Sequence, residues 1–220
     1  MRYFPAFLDL RDKLCVVVGG GGVGERKVRS LLKAGALVKV IAPELTPALF
    51  RLTEKGRITH LSRPYRRRDL TGTFLVIAAT DCRETNERVS LEALEKGILV
   101  NVADDPAHSS FIVPSIVKRK DLVVAVSTSG RSPALARILR QKLEKEIGPE
   151  YALLLEFLAA LRKKILGLGW GHRENQKVFR GLAKKDLLSL IKEKKFSDLN
   201  RRLKSILGPG FSLRELGLRW

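Results

Sequence analysis

Apolar positions along this chain follow two rhythms, and the switches between them mark out the elements. Leu14–Val18 is an unbroken apolar run, as a strand buried on both faces requires. Over residues 23–34, Val28, Leu31 and Leu32 fall at helical spacing, and Gly35 follows where a left-handed residue ends a helix. "LVKVIA" predicts a second strand. "TPALFRLTEKG" predicts a helix with Thr46 as N-cap, Pro47 in the first turn and Gly56 at its close. "ITHL" reads as a short strand and "FLVIAAT" as a deeply buried one; residues 84–96 form a helix closed by Gly97, and "ILVNVA" a further strand. The order β-α-β-α-β-β-α-β with short loops predicts a parallel sheet with helices on both faces.

After Asp105 the texture changes. "SFIVPSIVKRKDLVVAVST" holds two β-rich pieces around the charged turn 118–121, as in an antiparallel pair. "SGRSPALARILRQKLEKEIG" has Ser132 as N-cap and Pro133 at the first helical position, with Leu135, Ile138, Leu139 and Leu143 on one face. Residues 151–166 continue as an amphipathic helix, "GLGWGHREN" breaks the pattern, and residues 177–207 read as two short basic helices.

The first strand runs straight into glycine: "KLCVVVGGGGVGERK". Gly19, Gly21 and Gly24 satisfy G-x-G-x-x-G between a strand and a helix, inside a βαβ unit, which is the context of a Rossmann dinucleotide site. Gly19 permits the tight turn, Gly21 lets a diphosphate approach the backbone, and Gly24 lets the helix pack closely on the strand. Gly20 and Gly22 leave the loop barer still, and Gly22 and Val23 are expected with them at the diphosphate, which sits on the free N–H groups of the helix start. The acid that bonds a ribose hydroxyl is expected at the end of the second strand, where Glu44 follows Pro43, one or two residues later than usual. The nearest downstream arginine is Arg51, so NAD is expected rather than NADP. Ligands bind at the carboxyl edge of such sheets, where Thr80, Asn101 and Val102 offer a hydroxyl, an amide and an apolar face.

Charge and composition narrow the setting. The 220 residues carry 42 Lys and Arg against 23 Asp and Glu, a net +19, and residues 162–220 alone supply +11 of it. Such a surface suits a polyanionic partner, either nucleic acid, anionic lipid or a small molecule with many carboxylates or phosphates. No apolar run approaches a membrane span, and Pro5 and Asp9 break the N-terminal apolar patch, so neither a membrane helix nor a secretory signal is expected. Cys15 and Cys82 lie in apolar, strand-like settings without metal spacing and are expected to be buried free thiols, which suits a reducing cytoplasm.

Five stretches in order, "FPAFLDLRDKLCVVVGGGGVGERKVRSLLKAGA", "VIAATD", "NVADDP", "SFIVPSIV" and "VAVSTSGRSPALARILR", resemble the siroheme-synthase N-terminal family of precorrin-2 dehydrogenases and sirohydrochlorin ferrochelatases. The resemblance covers about residues 4–147, with helical support to 166. It implies an α/β fold: a NAD-binding Rossmann domain over 1–112, a small β-rich dimerisation and substrate region over 113–147, and a basic helical domain and tail over 148–220. It also implies a homodimer that oxidises precorrin-2 to sirohydrochlorin with NAD⁺, some members also inserting Fe²⁺. The family often has Ala where Gly24 stands, and some relatives have Ser in place of Thr128. The stretch past Gly167 does not resemble the methyltransferase domain that some relatives carry and is too short to be one, so the chain is not expected to make its own precorrin-2.

The resemblance implies that Asp104 in "NVADDP" is the catalytic aspartate, beside the nicotinamide position; partial burial would make it a better base. Asp105 competes with it, and a turn acid bonding backbone before Pro106 is the structural alternative. His108 is a candidate ligand or base for iron insertion, with iron as substrate and no permanent metal site. Thr128, Ser129, Arg131 and Arg137 are candidates for holding the anionic tetrapyrrole, arginine because its paired donors match carboxylates. The run Arg66, Arg67, Arg68 is expected to be solvated. Two other readings stay open: a NAD-sensing module without catalysis, and a dehydrogenase of a small substrate, although no His, Lys or Tyr of the second half makes a convincing acid or base for one. Nucleic acid is a weaker candidate because the basic tail lacks interleaved aromatics.

Overall fold

The computed structural model describes residues 2–169, 171, 173, 176, 178 and 187–220. They form two compact units, one of Met1–Val113 with Ser129–Arg131, the other of Pro114–Thr128 with Ser132–Trp220.

In the first unit five strands are all parallel: β1 (Leu14–Val18), β2 (Leu37–Ile41), β3 (Thr59–Leu61), β4 (Leu75–Ala78) and β5 (Leu99–Val102), in the order β3-β2-β1-β4-β5. The connecting helices are α1 (Gly22–Lys33), α2 (Pro47–Glu54) and α3 (Arg83–Glu95). Alternate strand residues point to opposite faces. Cys15, Val17, Val38, Val40, Leu75 and Ile77 pack with Val28 and Leu31 of α1 and Leu49 of α2. Val16, Val18, Ile41, Val76, Ala78 and Val100 pack on the other side with Val89 and Ala93 of α3. Both faces are covered, which is why the strands read as continuous apolar runs rather than alternating ones. Each fully buried Val or Leu contributes about 1.5–3 kcal/mol.

Local signals act where the sequence puts them. Thr46 caps α2 by accepting from the Leu49 amide, and Gly35 takes φ +81° just after α1. The structure corrects one expectation: Cys15 is buried, but Cys82 is exposed. It lies past the end of β4 as the N-cap of α3, outside the sheet core.

In the second unit, β6 (Ser115–Arg119) and β7 (Leu122–Val126) pair antiparallel, with Lys120 left-handed at the turn. Helix α4 (Pro133–Glu146) is capped by Ser132 and packs on this pair, and the Arg119 guanidinium bonds the carbonyls of Glu144 and Ile147 at its end. Ala136 is buried, whereas Leu135, Ile138 and Leu139 are exposed. The helices α5 (Glu150–Gly167), α6 (Leu187–Lys192) and α7 (Phe196–Leu207) share a core. Phe157, Leu161 and Ile165, one helical stripe, meet Leu187, Ile191, Leu199 and Leu203 there. The basic stretch expected over 177–207 forms α6 and α7 where it is described; residues 177 and 179–186 lie outside the described residues.

Candidate functional site

The corner between β1 and α1 is built from backbone. Gly19 has φ +119°, and a Cβ there would overlap the Ala79 carbonyl just past β4. The Gly19 amide bonds the Ile41 carbonyl at 3.0 Å and the Ala79 amide bonds that of Val18 at 2.8 Å, so the ends of β1, β2 and β4 meet here. A Cβ on Gly24 would strike the Gly19 carbonyl, and one on Gly20 the carbonyl of Glu44. Gly21 and Gly22 differ: nothing lies within 4 Å of the position a Cβ would take. These two begin α1, whose first N–H groups have no intrahelical acceptor and carry the positive end of the helix dipole. The open space is therefore on the side where an anion is favoured.

A cleft of about 480 Å³ continues from this corner. Gly19, Gly21, Val23, Pro43, Glu44 and Thr80, all expected from the sequence, line it. So does Asp81, at the strand end expected to border it, and so do Pro64, Tyr65, Cys82 and Thr85, which the sequence pattern did not single out for it. The loop carrying Pro43 and Glu44 is strapped down: the Thr46 amide bonds the Gly20 carbonyl at 3.0 Å and its hydroxyl donates to Glu25 at 2.7 Å. That hydroxyl, with the Arg29 guanidinium, holds the Glu25 carboxyl below the usual range. Behind the cleft, Tyr65 donates to the buried Glu92 at 2.5 Å, and Glu92 also bonds Lys96 and the Arg68 amide. Burial and the Glu92 carboxylate push the Tyr65 phenol well above its ordinary range.

At the other strand ends the expected groups are differently occupied. The Thr80 hydroxyl donates to Asn86 Oδ1 at 2.8 Å and accepts from the Cys82 amide at 3.3 Å, so it secures the start of α3. Val102 is 4% exposed and packs in the sheet core. Asn101 is 8% exposed, its Nδ2 bonded to the Phe111 carbonyl at 3.1 Å and its Oδ1 accepting from Lys27 Nζ at 3.3 Å. Burial pushes the Lys27 ammonium below the usual lysine range; the charge of Asp104 opposes this and that of Arg26 adds to it.

Asp104 is exposed rather than partly buried, because it occupies a left-handed turn position at φ +60° just outside β5. The Asx role falls to Asp105, which accepts the amides of Ala107 at 3.0 Å and His108 at 3.3 Å. Its other oxygen lies 2.7 Å from His108 Nδ1, and these bonds hold the Asp105 carboxyl below the usual range. His108 is thus committed to Asp105. Ser129 and Arg131, both exposed, belong to the first unit; Thr128 and the exposed Arg137 belong to the second, where Thr128 Oγ1 accepts the Ser132 amide at 3.1 Å. Among the described residues there is no cluster of three His, Cys, Asp or Glu able to hold a metal, and no helix long and apolar enough to cross a membrane.

Lys27 escaped the sequence reading. The signal was a charged residue one turn past the glycine motif, on a helix side that the apolar pattern left unassigned.

The pattern of a family described as putative NAD(P)-binding matches residues 6–115, and that of a sirohaem biosynthesis protein central region matches residues 119–146. The chain is 48% identical over 165 residues to siroheme synthase of Methylobacillus flagellatus, covering 75% of this chain and 35% of that protein. It is 42% identical over 185 residues to siroheme synthase of Photobacterium profundum, covering 82% and 39%. It spans a little over a third of the length of these curated relatives. Among solved structures it is similar to SirC, a precorrin-2 dehydrogenase, with TM-score 0.76, 25% identity, and coverage of 91% of this chain and 100% of that one.

Proposed function

The chain belongs to the siroheme-synthase N-terminal family, its NAD(P)-binding part making up half of the sequence, and on that premise we propose that it oxidises precorrin-2 to sirohydrochlorin. The observation that carries the reading is the open backbone of Gly21 and Gly22 at the head of α1, with the exposed carboxylate of Asp104 past the end of β5 on the same sheet edge.

The residues fit a nicotinamide dinucleotide. The amides at Gly21, Gly22 and Val23 hold the diphosphate, and Glu44, beside Pro43, bonds a ribose hydroxyl. An acid at that place favours NAD⁺ over its 2′-phosphorylated form, which the carboxylate repels. Thr80, Asn101 and Val102 shape the ring end from beneath, Thr80 through its hold on α3 and Val102 from the sheet core. When bound, the nicotinamide supplies the acceptor for the hydride that leaves the substrate. Asp104 takes the accompanying proton on its carboxylate and, being exposed, passes it to water. Arg131 and Ser129 of the first unit, and Arg137 and Thr128 of the second, are each taken to meet groups of the substrate, the two arginines its carboxylates. A homodimer in the cytoplasm, its partner docking on Leu135, Ile138 and Leu139, completes this reading; Fe²⁺ is the second substrate where insertion follows oxidation.

The test is anaerobic incubation of the full chain with precorrin-2 and NAD⁺, followed by the absorbance of sirohydrochlorin. Product that depends on NAD⁺ supports the reading; tight NAD⁺ binding without product sinks it in favour of a sensing module. Fe²⁺ added afterwards reports chelation.

A further inference from the structure

Lys27 lies five residues after Gly22 on α1, a rise of about 7.5 Å from the open helix end. Its side chain is half-buried and crosses to β5, where Nζ meets Asn101 Oδ1 at 3.3 Å. Asn101 is itself buried, and the other end of its amide is bonded to the Phe111 carbonyl. With both ends engaged, the amide cannot turn without losing two bonds, so it fixes where the ammonium stands. An ammonium carries three donors, and Asn101 takes one.

The sheet gains nothing from this charge. A partly desolvated ammonium costs free energy that an apolar side chain of the same length would not. The charged groups that face it are Asp104, from the loop after β5, and Arg26, on its own helix. Among the described residues the Asp104 carboxylate makes no hydrogen bond or ion pair of its own, and its backbone is left-handed and exposed. No such contact fixes its direction, and the Lys27 ammonium is the opposite charge that acts from across the strand end.

We propose that Lys27 is a positioning residue for the oxidation: its ammonium, held in place by Asn101, draws the Asp104 carboxylate over the sheet edge where the substrate proton leaves. The inference rests on the dehydrogenase reading and adds to it a second charge on which Asp104 depends. The lowered pKa of Lys27 sets the sign of the pH effect. The ammonium is lost as pH rises through a value below the usual lysine range.

The full chain is compared with Lys27→Met and Lys27→Arg. Lys27→Met is expected to bind NAD⁺ as wild type does by calorimetry, yet to turn over precorrin-2 about 10- to 100-fold more slowly. The wild-type rate falls on the alkaline side as Lys27 loses its proton, and Lys27→Arg, which stays charged, removes that limb. A wild-type rate and unchanged pH profile in Lys27→Met overturn the proposal. A measurement without turnover separates it from the function itself: the side-chain NMR titration of Lys27 moves to lower pH in Asp104→Asn, and an unmoved titration overturns the pairing even in an active enzyme. A wild-type chain that forms no sirohydrochlorin overturns the dehydrogenase reading, and with it the catalytic role of the pair.

Discussion

Thr46 Oγ1 lies 2.7 Å from a carboxylate oxygen of Glu25, tying the loop after β2 to the first turn of α1. The same oxygen accepts the Leu49 amide and so caps α2. Thr46→Val keeps the shape and loses both bonds. It is expected to lower stability by about 1–2 kcal/mol in urea unfolding, and to weaken NAD⁺ binding because the loop bearing Glu44 is released. The Glu25 carboxyl sits below its ordinary value, so the stability it lends is present above the usual carboxyl range and is lost as pH falls through the lowered folded value. Acid unfolding of Thr46→Val should accordingly show a weaker pH dependence than wild type.

The two kinds of glycine at the corner separate folding from binding. Gly21→Ala adds a methyl where nothing lies within 4 Å, so urea unfolding should match wild type while NAD⁺ affinity drops by about tenfold, a loss of ~1.4 kcal/mol. Gly19→Ala forces a side chain onto a left-handed backbone and into the Ala79 carbonyl. It should lower the melting temperature before any ligand is added. Equal losses of stability in both variants would contradict the division.

The adjacent aspartates should part in the same way. Asp104→Asn is expected to retain NAD⁺ binding and lose precorrin-2 oxidation by about 100-fold or more. Asp105→Asn leaves the chemistry and loosens the turn that holds His108. Because the Asp105 carboxyl is held low, its stabilisation is present above the usual aspartate range and disappears as pH falls through the folded value. Thermal melts from pH 7 down to pH 3 should converge for wild type and Asp105→Asn.

The two thiols should react at different rates. Thr85 Oγ1 lies 3.3 Å from Cys82 Sγ and lowers its pKa, and the thiol is exposed on the cleft. Burial pushes the Cys15 thiol up to about 11. Iodoacetamide at pH 8 should label Cys82 first, and saturating NAD⁺ should slow it. Peptide mass mapping reads both results; early labelling of Cys15 would contradict the burial.

Sequence pattern revealed most where a residue's effect is local. The run at Leu14–Val18, the caps at Thr46 and Ser132, and the glycines of the first corner announce their elements because each acts on backbone within a few positions. What the pattern hid depends on partners far along the chain. Lys27 meets Asn101, 74 positions away, and Tyr65 meets Glu92, 27 away, and neither spacing is periodic. The same blindness misjudged Cys82, which follows "FLVIAAT" by two positions and reads as strand-like, although β4 ends at Ala78. It also gave Asp104 a burial that its neighbour Asp105, with three bonds to the turn, comes closer to having.

The pairing of β1 with β4 sets the order of events when this chain folds. Val16 registers with Val76, so about sixty intervening residues must be gathered before the sheet's centre closes. The Ala79 carbonyl reaches Gly19 only after that closure. No early intermediate holding β1 and β2 alone owns a finished anion pocket. Added dinucleotide should therefore slow unfolding and leave the refolding rate unchanged, acting as a late lock rather than a template.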